Sequence, residues 1–261
     1  MNRFIKDVKK YYKYAVYSGR AELKSEIAQS HLSWLWWILD PLLFMLVYTF
    51  VSLIVFGKAE QYFSAFIFIG YTSFKFFEKT VKGSVKLVRA NRSIVAKVYI
   101  PKHILLLTKI YVNTFTTAIS FLLVFITMGI YRVPLTWNII FFIPEVLLLV
   151  LLSFSIGTVM MHFGVFVEDL SNVMFIVLRL LFYMSGVFYS LEKRITDELL
   201  RTILLDCNPM AFIINQMRNS LLYGKPLDVR MYFVWLVISL VIGYIGINLV
   251  YRNENGYIKV M

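Results

Sequence analysis

The chain has 261 residues, of which 59% are apolar and only 16% charged, and its mean hydropathy is +0.71. A soluble fold of this length has no interior large enough to hide that much hydrocarbon beneath a polar surface, so the chain reads as an all-α integral membrane protein. Disordered, collagen-like and disulfide-framework classes fall with the soluble one, and a net charge of +12 is assigned to loops and anionic headgroups rather than to nucleic acid.

Residues 1–34 form a basic head. Phe4, Ile5, Val8, Tyr11, Tyr12, Ala15 and Val16 recur at steps of three and four, while Arg3, Lys6, Lys9, Lys10 and Lys13 fill the remainder of the turn. This periodicity predicts an amphipathic helix lying in the membrane interface, aromatic side toward lipid and basic side toward headgroups. A helix packed on a soluble partner is the other reading of the same pattern. The head lacks the short apolar core of a cleavable signal peptide, and none is expected.

Six segments then meet the requirement of about 20 apolar residues at 1.5 Å rise each. They are Leu35 to Phe56, containing Asp40; Tyr62 to Phe77, short and carrying Lys75; Ile104 to Tyr131; about Ile139 to Val167, with Pro144 and Glu145 near its entrance; Leu170 to Leu191, containing Arg179; and Met231 to Tyr251. Residues 35–251 are therefore expected to form one six-helix transmembrane domain, followed by a short tail at 252–261. The outer region 191–230 is too long for a hairpin connection. Its apolar stretches Leu199 to Leu205 and Met210 to Ile214 are too short to span, and are expected to be short helices at, or re-entrant within, the outer leaflet.

Placing the N-terminus inside leaves sixteen basic residues on the cytoplasmic side and eight outside, so both termini are expected to be cytoplasmic. Chemistry-bearing motifs are missing. His31, His103 and His162 have no metal-ligand spacing and are expected to be interfacial or packed. Cys207, the single cysteine, permits no intrachain disulfide and is read as a small apolar filler. Gly224-Lys225 is followed by Pro226 and lacks the upstream glycine of a phosphate-binding loop, so any ATP-driven work needs a second chain. Ser153 and Gly157 make a small-xxx-small step of a kind that lets helices approach, though such steps are common in spans.

The run Glu22-Leu23-Lys24, then Ser30-His31-Leu32-Ser33-Trp34-Leu35-Trp36-Trp37-Ile38-Leu39-Asp40-Pro41-Leu42-Leu43, resembles the entrance to the first span of ABC-2 type permeases that export lipid-linked polysaccharides. Further matches follow in family order: Asn91 to Pro101, Phe166 to Leu170, Gly186-Val187-Phe188-Tyr189, Asn208-Pro209 and Leu221-Leu222-Tyr223-Gly224. The chain departs from the pattern at Ser33, where the family has glycine, at Glu168, where it has a basic residue, and at Lys75, commonly tryptophan.

The resemblance implies a homodimeric permease subunit in the bacterial cytoplasmic (inner) membrane. Such a subunit would not be an enzyme, would have no catalytic, cofactor or metal residues, and would export an O-antigen, teichoic-acid or capsular glycan. ATP and Mg would be bound by a separate ABC ATP-binding subunit. That partner would be met by Arg89, Asn91, Arg92 and Lys97 together with Lys10 and Lys13 of the head. Lipids and the lipid-linked glycan are the other partners, with a substrate path expected along Trp34, Trp36, Trp37, Phe44, Tyr48, Lys75, Arg179, Phe182 and Tyr183. Lys75 and Arg179 carry a second reading, as ion pairs with Glu145 or Asp40, because a basic group at mid-bilayer costs about 2.5–3.5 kcal/mol and needs a partner or a wet cavity. The rival functions are export of a drug or small lipid by the same fold, a membrane-embedded transferase, and a passive channel or scaffold.

Overall fold

A computed structural model describes residues 2–28, 33–56 and 60–260; His31 and Lys58 lie outside them. The elements are α1 (Asn2–Ala28), a 3-10 turn (Ser33–Leu35), α2 (Trp36–Phe56), α3 (Phe63–Val85), α4 (Leu87–Ala90), α5 (Arg92–Val95), α6 (Lys102–Ile130), a 3-10 turn (Trp137–Phe141), α7 (Phe142–Phe166), α8 (Leu170–Met184), α9 (Leu191–Arg194), α10 (Glu198–Asp206), α11 (Pro209–Leu221) and α12 (Val229–Val260). Among the described residues three stretches are long and apolar enough to cross a membrane, namely α6, Trp137–Phe166 and Val229–Tyr257, and two shorter apolar helices are Trp36–Val51 and Leu170–Met184.

Residue pairings set the helix directions. Phe44 stacks on Tyr71 while Thr49 donates to Ser64, so α2 and α3 are antiparallel. Asn113 donates to Thr80 and Ser64 meets Tyr131, so α3 and α6 are antiparallel too. Lys82 lies over Phe175 while Phe74 meets Phe182, which turns α8 against α3. Tyr232 donates to the Pro144 carbonyl and His162 bonds Tyr257, so α12 runs parallel to α7. Both chain ends therefore lie at one face of the bundle, called here the terminal face.

Two helices make the core. Nearly every residue of α3 from Phe63 to Phe77 is buried, although the sequence reads this segment as the weakest span. Its lysines and Glu78 depress the average, but Ser73 and Ser84 return their hydroxyls to its own carbonyls at Ile69 and Val81. The helix continues eight residues beyond the expected end. On α7, Ser153, Ser155 and Thr158 likewise bond the carbonyls four residues back, leaving small, satisfied surfaces against both neighbours. Gly157 sits against Leu106 and Ser84, so the Ser153–Gly157 step does lie at a close approach, as do Gly164 against Val85 and Gly243 against Ser155.

Other boundaries move. The fifth span ends as helix at Met184, where Gly186 adopts a left-handed φ of 64° and turns the chain back. The sixth continues unbroken through the expected tail to Val260, because Tyr251, Glu254 and Tyr257 give that last stretch a packing face. In the outer region Asp197 caps α10 by accepting from the Leu199 and Leu200 amides, and Asn208 caps α11 in the same way ahead of Pro209. The α11 helix is buried along almost its whole length among α3 and α7. Cys207 is exposed at the end of α10, so the filler reading does not hold there.

Candidate functional site

The expected path residues separate into two groups. Phe44, Tyr48 and Phe182, together with Tyr71, Phe74 and Phe188, form one aromatic wall across α2, α3 and the end of α8. Phe44 lies 3.6 Å from Tyr71, Tyr48 lies 4.0 Å from Phe188, and Phe182 meets Phe74 and Phe188 edge-on at 5.0 Å. Tyr183 touches the outer edge, 5.5 Å from Phe182, and is half exposed. Arg179, one turn earlier on α8, is exposed with its guanidinium 5.4 Å from the Phe175 ring. Sequence reading missed Tyr71, Phe74 and Phe188, although Phe188 lies in the quoted Gly186 to Tyr189 motif.

The second group lines a cavity of about 260 Å³ between α2, α3 and α6. Trp36, Trp37, Asp40, Tyr71, Thr72, Lys75 and Lys79 contribute to it, with Thr116, Thr117 and Ser120 opposite. Tyr71 joins the two groups, since its ring stacks in the wall while its hydroxyl donates to Asp40 at 3.2 Å. Trp34 belongs to neither and stands exposed on the 3-10 turn before α2.

The ion-pair reading of the intramembrane charges is overturned. Among the described residues neither Lys75 nor Arg179 has a carboxylate within 4 Å. Glu145 is buried and accepts instead from Ser220 at 2.9 Å, and Asp40 accepts from Tyr71. A buried cation with a full set of partners stands elsewhere. Arg218 on α11 donates to the carbonyls of Phe66, Gly186 and Val187 at 3.1, 2.9 and 2.7 Å and covers the Phe66 ring at 3.4 Å. Gly70 makes room for it, as a Cβ there would stand 2.5 Å from the guanidinium.

At the terminal face, α1 packs its stripe of Val8, Tyr11 and Ala15 on Val95, Ile100 and Ile104 of its own chain, leaving Ile5, Tyr12 and Tyr17 exposed. Lys109 pairs with Glu22 at 2.6 Å, and Gly19 admits the Tyr111 ring. At the start of α1, Arg3 donates to Glu254 at 2.6 Å and to Tyr99 at 2.8 Å and lies over Tyr251, whose hydroxyl donates to Asp7 at 2.6 Å. This clasp ties the head helix, the α5–α6 connection and the end of α12 together. His103 is buried beneath it between Phe4 and Tyr251, and His162 bonds Tyr257, so both are packed residues.

Of the expected ATPase-contact residues, Arg92 and Lys97 are exposed and alternate along the segment with the exposed apolar Ile94 and Val98, while Val88, Val95 and Ile100 anchor the segment beneath. Lys10 and Lys13 are exposed on α1. Arg89 instead bonds Glu168 and the Val165 carbonyl and so braces α4 against the end of α7, while the Asn91 amide closes its own turn at Leu87. The departure at Glu168 thus supplies the partner for Arg89.

Breaking the clasp has a specific expected result. Glu254→Gln removes the charge that holds Arg3, and limited trypsin cleavage at Lys6, Lys9 and Lys10 is expected to accelerate several-fold while the bundle elutes unchanged on size exclusion. An unaltered cleavage rate would mean that the apolar stripe alone holds α1.

The membrane-domain profile of the ABC-2 type transporters matches residues 17–222. The chain is 26% identical over 214 residues to the O-antigen export system permease protein RfbA of Myxococcus xanthus, covering 82% of each. It is 23% identical over 206 residues to the O-antigen export system permease protein RfbA of Klebsiella pneumoniae, covering 78% of each. With a match across most of its length, on an all-helical bundle whose long helices alternate in direction, the chain belongs to the ABC-2 type transporter membrane family.

Proposed function

We propose that this chain is the membrane-spanning permease subunit of an exporter for a lipid-linked polysaccharide, working as a homodimer with a separate ATP-binding subunit in the bacterial cytoplasmic membrane. In this reading α2, α3, α6, α7, α8 and α12 are the six spans, α11 is re-entrant from the outer side, and the terminal face with its basic residues is cytoplasmic. Sugar rings present C–H faces that slide over aromatic surfaces at little cost, and the wall of Phe44, Tyr48, Phe182 and Phe188 supplies such a surface.

The observation that carries the reading is Arg179, an exposed cation without a carboxylate partner, at the rim of that wall in an apolar helix. Lipid does not tolerate such a group cheaply, whereas a wet path between two protomers does. Its planar fork suits a phosphate, which accepts two hydrogen bonds at once. The exposed apolar residues of α2 and α8 beside it, such as Leu43, Val47, Ile176 and Leu180, are the surface offered to the second protomer.

Co-expression with an ABC ATPase tests the reading. The purified chain alone is expected to show no ATP turnover, and the complex to hydrolyse ATP and export glycan. Arg179→Gln is expected to lower export roughly tenfold with assembly intact, the scale of one lost charge-assisted contact. Paired reversal of Arg92 and Lys97 is expected to weaken ATPase recruitment without affecting insertion. Normal export by Arg179→Gln would remove it from the path, and turnover by the chain alone would defeat the division of labour.

A further inference from the structure

Asp40, Lys75 and Lys79 share the cavity between α2, α3 and α6, yet neither lysine pairs with the carboxylate. Asp40 and Lys79 are exposed and Lys75 is half-buried, so the three charges are open to a ligand in the recess. Among the described residues Lys75 has no ion pair, and its ammonium stands 5.7 Å from the Tyr71 ring. A second observation points into the same recess. Thr72 is 3% exposed and lines the cavity wall, and its hydroxyl has no hydrogen-bond partner among the described residues. Buried hydroxyls seldom stay unpaired, so one left over in a cavity wall marks a place where a ligand oxygen or a water docks.

The walls narrow the chemistry. Cations stand on α3 and a carboxylate stands across from them on α2, so the complement is a zwitterion, with an anionic centre toward Lys75, Lys79 and Thr72 and an ammonium toward Asp40. Trp36 and Trp37 add aromatic faces beside that carboxylate, and such faces attract an ammonium as well. At about 260 Å³ the recess falls below the roughly 300–1,000 Å³ that takes a drug-sized ligand. It suits a headgroup and is too small to pass a repeating glycan. On the α6 side, Phe115 and Leu122 are exposed hydrocarbon, the setting for acyl chains. Trp37 meets Phe115 edge-on at 5.9 Å across this side, away from Arg179 and the α8 part of the aromatic wall.

We infer that this cavity is a binding site for the headgroup of a zwitterionic phospholipid bearing a primary ammonium, phosphatidylethanolamine in chemical class, held by Lys75, Lys79 and Thr72 at its phosphate and by Asp40 at its amine. The inference rests on the proposed orientation only in assigning the lipid to the inner leaflet. It takes Trp36, Trp37 and Lys75 out of the glycan path and gives them a lipid-anchoring role beside it.

The test is lipid retention by the full chain after delipidation, read by native mass spectrometry with phosphatidylethanolamine, phosphatidylglycerol, phosphatidylcholine and a polyprenyl phosphate supplied in turn. The wild type is expected to retain phosphatidylethanolamine several-fold better than the other three. Lys75→Gln with Lys79→Gln is expected to lower that retention several-fold, and Asp40→Asn, which preserves the Tyr71 hydrogen bond, to erase the preference over phosphatidylglycerol. Thr72→Val leaves every charge in place and is expected to weaken retention of all phosphate headgroups, so a folding defect in the charge variants does not shelter the proposal. Equal retention of all the lipids by the wild type, or phosphatidylethanolamine retention unmoved by the lysine variants, overturns it. Preferential retention of the polyprenyl phosphate overturns the phospholipid assignment and returns the cavity to the export substrate. The readout needs neither ATP nor glycan, so its failure leaves the export reading standing on its own test.

Discussion

Gly164→Ala is expected to abolish recovery of folded protein, the largest effect of any glycine-to-alanine change among the described residues. A Cβ at this position would fall far inside van der Waals contact with the Val85 carbonyl oxygen and stand 2.7 Å from the carbonyl carbon and 2.9 Å from the Val85 Cα. All three atoms are backbone, so no rotamer change relieves the clash and α3 must move away from α7. These two helices make the core, and overpacking there costs upward of about 3 kcal/mol when side chains cannot yield. Gly256→Ala is the control, because nothing lies within 4 Å of a Cβ there and the change is expected to be neutral or slightly stabilising. Fluorescence-detected size exclusion across a temperature ramp checks both. A Gly164→Ala melting profile matching the wild type would show that the two helices separate at little cost.

Arg218→Lys is expected to be nearly as damaging, despite keeping the charge. The guanidinium addresses three carbonyls at once, one on α3 and two in the turn after α8, while its plane covers the Phe66 ring. An ammonium lacks both the fork and the flat face. Hydrogen bonds from a charged group are worth roughly 1.5–3 kcal/mol each, and a buried cation left short of acceptors adds its own penalty, so a loss of at least ~3 kcal/mol is expected. The turn at Gly186 and Val187 would then keep only the Asn208–Ser185 bond to the cap of α11, loosening the end of α8 that carries Phe182 and Tyr183. The expected readout is a lower melting temperature for Arg218→Lys and reduced export even at temperatures where the protein stays folded. Wild-type stability in the lysine variant would show that point charge alone suffices.

Much of the bundle is legible in the primary structure because lipid is a severe filter. Long apolar runs bounded by charge mark α6, α7 and α12 unambiguously, and the three- and four-residue steps of Phe4, Val8, Tyr11 and Ala15 mark α1. The α3 helix is the instructive failure. Its charged residues lower every average taken along the chain, yet it is the most enclosed of the long helices, since those charges gather toward its second half, beside the cavity and the terminal face. Hydropathy records what a segment contains and not which neighbours surround it.

Site residues follow the same division. Composition and periodicity by themselves determined that this is a helical membrane chain with a basic, amphipathic head, and that Lys75 and Arg179 need something other than lipid, because solvation in hydrocarbon is a property of each residue and its immediate segment. Which acid answers which cation was decided only by the tertiary structure. Arg3 finds Glu254 across 251 positions, Glu145 turns to Ser220 instead of a lysine, and Arg218 is enclosed by carbonyls that no local pattern announces. Such pairings arise where separate helices cross. Helix crossings depend on the sizes of facing side chains, such as Gly164 against Val85, and not on any period carried along one strand of sequence.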